Sequence, residues 1–393
     1  MSARRIAIIG SGMGGMSCAL ALRQQGHEVT LFERFSTPRP VGAGLLLQPT
    51  GQAALRELGL LSKIEAASAR VDQLIGRDPS GRIILDLAYG RRGTDVYGLG
   101  VHRGVLFNAL YDEIRSMGID QVLDADIESV DPEKGIVSYS HGCAMGPFDL
   151  VVVADGAHSR LRERLFGSRS SSLYKWGALW TVVADPENQC AGALRQVYDK
   201  ASVMIGLLPV GTGPVGHTPQ CALFWSLPID AEPQWKEAGL KAWSDRIARY
   251  WPEAGNMAQT VENPDGVSLA IYRDTRLNRW RCGRAILIGD AAHATSPQLG
   301  QGANLALVDG IALAQALEKD PDDMELALDA FVRARLRLVR WTRIMSRLLT
   351  PAFQSSVPGI GIARNLSLRL ARRVPAFDQL MLRTLTGEQG FWR

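Results

Sequence analysis

Gly10-Ser11-Gly12-Met13-Gly14-Gly15 carries glycine at the first, third and last positions of a short turn. Such a turn can bring backbone amides against a pyrophosphate. Gly10 permits the tight bend, Gly12 removes a Cβ that would block the anion, and Gly15 lets the following helix close on its strand. The first-turn amides and the helix dipole then face negative charge. Glu33 follows Gly15 by eighteen residues, where a carboxylate can accept bonds from both ribose hydroxyls. This is the chemistry of adenine-dinucleotide binding, with NAD and FAD both open at this point. Glu33 disfavours a 2′-phosphate, because like charges would repel.

The elements that must hold this turn can be read around it. Arg5 to Ile9 predicts a buried strand, Met16 to Gln25 a helix ended by Gly26, and Val29 to Phe32 a second strand. That order predicts a parallel sheet with helices on its faces. Phe148 to Ala154 runs into Asp155-Gly156, and Arg284 to Ile288 runs into Gly289-Asp290, each repeating the buried-strand signal. Between them, Trp176 to Val183, Gln196 to Asp199, Val203 to Leu208 and Cys221 to Leu227 alternate with Gly- and Pro-rich turns. That texture predicts a mainly antiparallel sheet. Helices are expected over Thr50 to Leu58, Arg103 to Met117, Gln234 to Tyr250, Gly302 to Leu317 and Asp323 to Leu349. The expected fold class is α/β. A discontinuous Rossmann-like nucleotide-binding domain takes residues 1–70, 98–172 and 276–330. An inserted, mainly antiparallel-sheet domain takes 71–97 and 173–275, and a C-terminal helical, Arg-rich segment takes 331–393.

Composition excludes several classes. With 393 residues and 46% hydrophobic content, the chain can bury a sizeable core and is not largely disordered. Five scattered cysteines without a CxxC pair argue against a disulfide scaffold or zinc knuckle. His293 lacks partners at ligand spacing, so no metal is expected. There is no GxSxG elbow and no GxxxxGK[ST] loop, which disfavours serine hydrolysis and P-loop phosphoryl transfer. The N-terminus shows no cleavage-site pattern and no run reaches the ~18 apolar residues of a membrane span, so a cytoplasmic location is expected. Forty-four Lys plus Arg stand against 40 Asp plus Glu, but Phe331 to Arg373 holds ten Arg and no acidic residue. That segment admits a solvated helix face, a peripheral-membrane contact or a homodimer contact. Nucleic acid is not expected, since aromatic platforms and known docking modules are missing.

Gly42-Ala43-Gly44-Leu45, Arg103, Asp155-Gly156 and Gly289-Asp290, in this order, resemble the single-component FAD-dependent aromatic hydroxylases. These are the class A flavoprotein monooxygenases with the p-hydroxybenzoate hydroxylase type of fold. The resemblance spans nearly the whole chain. Asp155-Gly156-Ala157-His158-Ser159-Arg160-Leu161-Arg162 matches the family's DGxxSxxR stretch, and Gly289 to Pro297 continuing to Asn304 matches its second flavin motif. The likeness implies FAD contacts from Gly10, Gly12, Gly15, Glu33 and its neighbour Arg34, Gly44, Arg103 and Asp155. It implies further contacts from Asp290, Pro297, Gly300, Gly302, Ala303 and Asn304. Arg162 would contribute to binding the nicotinamide donor, and Pro297 would stand beside both flavin ring and substrate as the catalytic position. The region 71–97 and 173–275 becomes the substrate domain.

The implied activity is hydroxylation of an aromatic or heteroaromatic small molecule through a flavin C4a-hydroperoxide, using NADH or NADPH and O₂. Leu349 to Ser355 also resembles a stretch of ubiquinone-pathway hydroxylases, which leaves a lipophilic or quinolone-like substrate open. Trp180, Met204, Leu223 and Trp225 are candidate pocket positions, though each equally fits an ordinary core. Tyr198, Asp199, His217 and Tyr272 could meet a substrate hydroxyl, with a surface turn favoured for His217, and Arg195 could meet a carboxylate. Alternatives are another redox reaction on the same fold, such as halogenation or alkene reduction, and a noncatalytic FAD-binding interaction protein. The absent WxWxIP stretch disfavours a halogenase.

Overall fold

The computed structural model describes residues 3–40, 42–92, 95–167, 171–371 and 374–387. The glycine turn joins strand Arg5–Ile9 to helix Met13–Gln24, and Glu28–Phe32 returns beside the first strand. Those strands lie inside a six-stranded sheet with Asp120–Val122, Leu150–Val153, Ala285–Leu287 and Arg281–Cys282. Every pairing in it is parallel except the last, Arg281–Cys282 against Ala285–Leu287. Leu150–Val153 is buried at all four positions, as expected of a strand covered on both faces. The sheet brings the ends of Arg5–Ile9, Leu150–Val153 and Ala285–Leu287 side by side. Their following loops, which hold the three motifs, therefore converge on one edge.

The helix begins at Met13, three residues earlier than the sequence suggests, because the later glycines of the turn already form its first turn. Gln234 to Tyr250 is replaced by Glu232–Ala248, broken at Gly239 where φ is 78°. A separate helix, Pro252–Gln259, follows it. Residues 127–145 add a three-stranded antiparallel sheet.

The second large sheet is where the insertion lies. Ser171–Ala184, Gly192–Asp199, Val203–Gly211, Gln220–Pro228 and Ser268–Thr275 form its antiparallel body. Ala69–Arg77 adds in parallel to Gly192–Asp199, and Gly98–His102 and Gly44–Leu47 extend the sheet beyond it. These last two strands came from stretches placed in the nucleotide-binding region by sequence. They are only four and five residues long and contain glycine, which weakens any strand signal. One face of this sheet packs Leu179, Ile205, Leu223 and Trp225 under Trp243 and Ile247. The opposite face carries Met204, Phe224 and Tyr198 with Phe353 and Leu368 from the C-terminal helices.

Within the nucleotide-binding body, Gly302–Lys319 packs on Met13–Gln24. A Cβ on Gly310 would sit 2.4 Å from the Cys18 amide nitrogen, so the helices approach backbone to backbone. Gly310→Val is expected to lower stability by about 1–3 kcal/mol or more, through forced separation of the helices. Chemical denaturation of the apoprotein would measure it, and an unchanged midpoint would refute the close contact.

Candidate active site

The glycine turn is shaped by two different demands. Gly10 has φ of +104°, and a Cβ on it would lie 2.6 Å from the Ala154 carbonyl oxygen. A Cβ on Gly15 would lie 2.0 Å from the Gly10 oxygen. The protein's own packing therefore requires both glycines. Gly12 has no neighbour within 4 Å of its Cβ position, so its glycine leaves open space at the helix start. The first intrahelical bond runs from the Met16 amide to the Gly12 carbonyl at 2.9 Å, so the amides before Met16 are not used by the helix. An open, positively polarised cradle fits a pyrophosphate. Glu33 is buried beside it, accepting from the Ser11 amide at 3.0 Å and the Ser11 hydroxyl at 2.5 Å. It therefore fixes the turn as well as presenting a carboxylate there. Arg34 is exposed, its guanidinium over the Phe35 ring at 4.6 Å.

A second cradle forms across the sheet edge. Pro297 opens a single helical turn, Pro297–Leu299, closed by Gly300 in the left-handed region. Gly302–Lys319 then starts, and its amides at Gly302, Ala303 and Asn304 have no helical partner, because Leu305 is the first to bond back, to Gln301 at 2.9 Å. Asp290 is exposed at this start, its Oδ1 3.9 Å from the Cβ position of Gly302. Arg103 begins helix Arg103–Ser116, and its guanidinium lies 2.9 Å from the Cβ position of Gly42. Burial lowers the Arg103 pKa, while Asp290 and Tyr272 oppose that shift. Arg103, Asp290 and Tyr272 thus share one electrostatic neighbourhood beneath the Gly42 loop. Asp155 adds a buried Oδ1 without a protein partner, and burial raises its pKa against Ser159 and Arg162. An extended dinucleotide with a polar flavin end fits these groups.

Arg162 acts differently from expectation, and Asn304 and Gly44 also answer to partners within the protein. Arg162 is fully buried, donating to Ala291 O and Ala157 O at 3.1 Å each. It ties the DG stretch to the Asp290 helix and has no surface with which to meet a nicotinamide. The Asn304 side chain is spent on Leu46 O, Gly300 O and the Gln48 amide, leaving only its backbone for a cofactor. Gly44 is glycine because Val210 Cγ1 would stand 2.6 Å from its Cβ, which is packing against the second sheet.

The sequence reading also missed the group that holds the second cradle. Asp309 is fully buried and accepts from the Gly289 amide at 2.7 Å and from Arg335 Nε at 2.6 Å, with His293 Nε2 also 2.6 Å away. Burial alone would raise its pKa, but His293, Arg335 and the Gly289 amide outweigh it and bring it down to about 2. Its only sequence signal is an acidic residue inside an apolar helix. Ser296 and Thr350 hydroxyls meet at 2.6 Å, which anchors the Pro297 loop to the Arg-rich helix Met324–Phe353.

The substrate candidates divide by sheet face. Met204 and Tyr198 lie on the face with Phe353, and Trp180 packs there too. Leu223 and Trp225 lie on the other face, within the core under Glu232–Ala248, and Arg195 is exposed. These three lie away from the face that carries Tyr198, Met204 and Trp180, since strand side chains alternate and a shift of one position changes face. Phe224 takes their place: it stacks on Trp180 at 4.8 Å. Its ring also covers Gly206, whose Cβ position is 2.0 Å from the ring. Tyr198 covers Gly76 in the same way, at 2.3 Å. Glycines inside strands were the available signal for these close approaches. Trp180 Nε1 donates to the Tyr272 hydroxyl at 3.3 Å. Asp199 is half-buried and His217 is exposed. A cleft of about 600 Å³ reaches this edge, lined in part by Gly42, Ala43, Trp180, Val182, Thr260 and Ser268.

Residues 4–339 match the FAD binding domain family. The chain is 28% identical to a probable 2-heptyl-3-hydroxy-4(1H)-quinolone synthase of Rhodococcus erythropolis, covering 83% of this chain and 82% of that protein. It is 27% identical to the aurachin C monooxygenase/isomerase of Stigmatella aurantiaca, covering 81% of each. In fold it is similar to the Klebsiella pneumoniae HpxO structure complexed with FAD and uric acid, at 22% identity and a TM-score of 0.83, covering 98% of this chain and 97% of that one.

Gly12→Val should leave the apoprotein fold intact, since the added atoms enter open space, and should abolish FAD retention; FAD bound at wild-type affinity would refute the cradle. Asp309→Asn should lower stability at neutral pH by about 3–5 kcal/mol, because Arg335 loses its buried partner. The Asp309 pKa is depressed, so its contribution is complete above the ordinary value of 3.8 and is lost as pH falls through about 2. Acid-unfolding curves of wild type and Asp309→Asn should therefore converge toward that limit, and parallel curves would contradict the assignment.

Proposed function

The chain belongs to the class A FAD-dependent monooxygenase family, and from that premise we propose that it hydroxylates a lipophilic, quinolone-like heteroaromatic using NADH or NADPH and O₂. As an FAD-binding monooxygenase it acts on aromatic or heteroaromatic compounds. The observation that carries the finer reading is the Trp180–Tyr272 pair, in which Trp180 lines the cleft and stacks on Phe224 while Tyr272 shares the electrostatic neighbourhood of Arg103. The quinolone in the name of the Rhodococcus relative supports the same class.

FAD, when bound, supplies hydride acceptance from the nicotinamide and transfer of oxygen from O₂. The chain's residues do the rest. The Gly12 cradle would hold the pyrophosphate and Glu33 the ribose, while Arg103, Asp290 and the amides at Gly302 and Ala303 would hold the flavin end. Burial raises the Tyr272 pKa to about 12, against Trp180 and Arg103, so the phenol keeps its proton at neutral pH. The Trp180 indole already donates to the Tyr272 oxygen, which directs the phenolic proton elsewhere. Tyr272 is thus a hydrogen-bond donor suited to a ring carbonyl or phenolate oxygen, and not a general base. Trp180 lines the cleft and stacks on Phe224, an apolar surface that would keep water from a planar ring bound there. Arg195, on the outside, does not supply a carboxylate clamp.

Purified protein is expected to be yellow, with NAD(P)H oxidation stimulated by 2-alkyl-4-quinolones and a product heavier by a single oxygen atom. Stimulation confined to small carboxylated aromatics would overturn the substrate class. Tyr272→Phe should cost about 1.5–3 kcal/mol of transition-state binding, roughly tenfold to a hundredfold in kcat/KM, with FAD content unchanged. Undiminished kcat/KM with the best quinolone would remove Tyr272 from the site.

A further inference from the structure

The C-terminal helices present an outward face that neither the flavin cradle nor the aromatic chamber uses. On helix Met324–Phe353, the residues Phe331, Arg335, Val339, Thr342 and Ser346 are buried. On its other side Arg333, Arg340, Ile344 and Leu348 are exposed. Their spacings of seven, four and four residues place them on one stripe, cationic in its first half and apolar in its second. Helix Ile360–Ala371 repeats the arrangement. Gly361, Arg364 and Leu368 are buried inward. Ile362, Leu366 and Leu370, each four residues apart, are 75%, 57% and 52% exposed. Arg364 Nη1 donates to Ala352 O at 3.0 Å, which sets the start of this helix beside the end of the previous one. The exposed Leu348 and Ile362 therefore fall in the same neighbourhood, with exposed Val357 on the link between them.

Charge decides what can cover this face. From Phe331 to Arg373 the sequence has ten Arg, no Lys, no Asp and no Glu; Arg335 and Arg364 are buried, and Arg333, Arg337, Arg340 and Arg369 are exposed. A two-fold pairing with a second copy would set this cationic surface against itself. A surface bearing phosphates would satisfy the arginines and accept the apolar stripe together. Among the described residues, no helix is long and apolar enough to cross a membrane, so the helices can only lie along such a surface.

We propose that this face docks the protein on an anionic lipid membrane. Ile344, Leu348, Ile362, Leu366 and Leu370 enter below the headgroups, and Arg333, Arg340 and Arg369 meet lipid phosphates. The inner side of the same helix bears Leu368, packed with Tyr198 and Phe353 over the second sheet. Docking therefore sets that covered side of the sheet toward the bilayer. The inference goes beyond the proposed hydroxylation and does not depend on the substrate.

The test is flotation of the full-length, FAD-loaded protein with vesicles of phosphatidylcholine alone or mixed equally with phosphatidylglycerol. Flotation with the mixed vesicles only, weakened by added salt, is the expected result. Arg333→Gln and Arg340→Gln should each weaken binding about fivefold, and the Ile362→Glu/Leu366→Glu pair should abolish it while the flavin spectrum stays unchanged. The wild-type lipid and salt dependence decides the matter even if the double variant misfolds. No flotation, or equal binding to neutral vesicles, would overturn the proposal. So would light scattering that shows a lipid-indifferent dimer made monomeric by Ile362→Glu/Leu366→Glu.

Discussion

Asp309 is a carboxylate with no exposed surface, held in a helix interior where an unpaired charge would be prohibitive. It is tolerable because three groups from three elements converge on it: the Gly289 amide, His293 and Arg335. The dependence runs both ways. Without the carboxylate, Arg335 would be a buried cation and the Gly289 amide would lose its acceptor. The loop that carries Asp290 and Pro297 begins at Gly289 and ends at the start of the Asp309 helix, so both of its ends are referred to this one charge. Ser296 with Thr350, and the Thr275 amide with Ala294 O, then fix the loop's middle to the Arg-rich helix and to the second sheet. Arg162 carries the same frame across to the DG stretch through Ala291 O. A cofactor spanning two distant motifs needs their separation held constant, and this buried network supplies that rigidity.

The second constraint is the two-residue period of the large sheet. Both of its faces are covered by apolar side chains, one by helices and one by the chamber and C-terminal segment. Hydrophobicity alone therefore does not say which way a given strand residue points. What distinguishes the faces is the glycines. Gly206 and Gly76 lack side chains where the rings of Phe224 and Tyr198 lie down over the strands. Rings lying along the sheet let Phe353 and Leu368 of the C-terminal helices pack over them. That close cover follows from two absent side chains as much as from the aromatics present.

This explains what could be read from the sequence. The strand-turn-helix around Gly12, the strand ends at Asp155 and Asp290, and the inserted sheet rest on local patterns with strong periods, and the structure has them. Gly44–Leu47 and Gly98–His102 are too short and too glycine-rich to announce themselves. Leu223, Trp225 and Arg195 were assigned by residue type, where the deciding variable is parity. Arg162 was read through a motif match, and only its burial shows that it bridges two loops. Asp309 and Arg335 are separated by a helix junction, so no local window could pair them.

The remaining tension is between a wet cofactor end and a dry substrate end. A dinucleotide requires amides, carboxylates and a cation, while oxygen transfer onto an apolar ring requires that water be kept away. Arg103 sits at that boundary and bears a burial penalty visible in its lowered pKa. Asp290 and Tyr272 both oppose that shift. Tyr272 in turn is kept neutral by burial and oriented by the Trp180 indole, which belongs to the aromatic wall. Polarity thus falls in steps from Asp290 through Arg103 and Tyr272 to Trp180 and Phe224, each group partnered by the next. A graded boundary of this kind lets a charged cradle and an apolar chamber share one opening without stranding an unpaired charge between them.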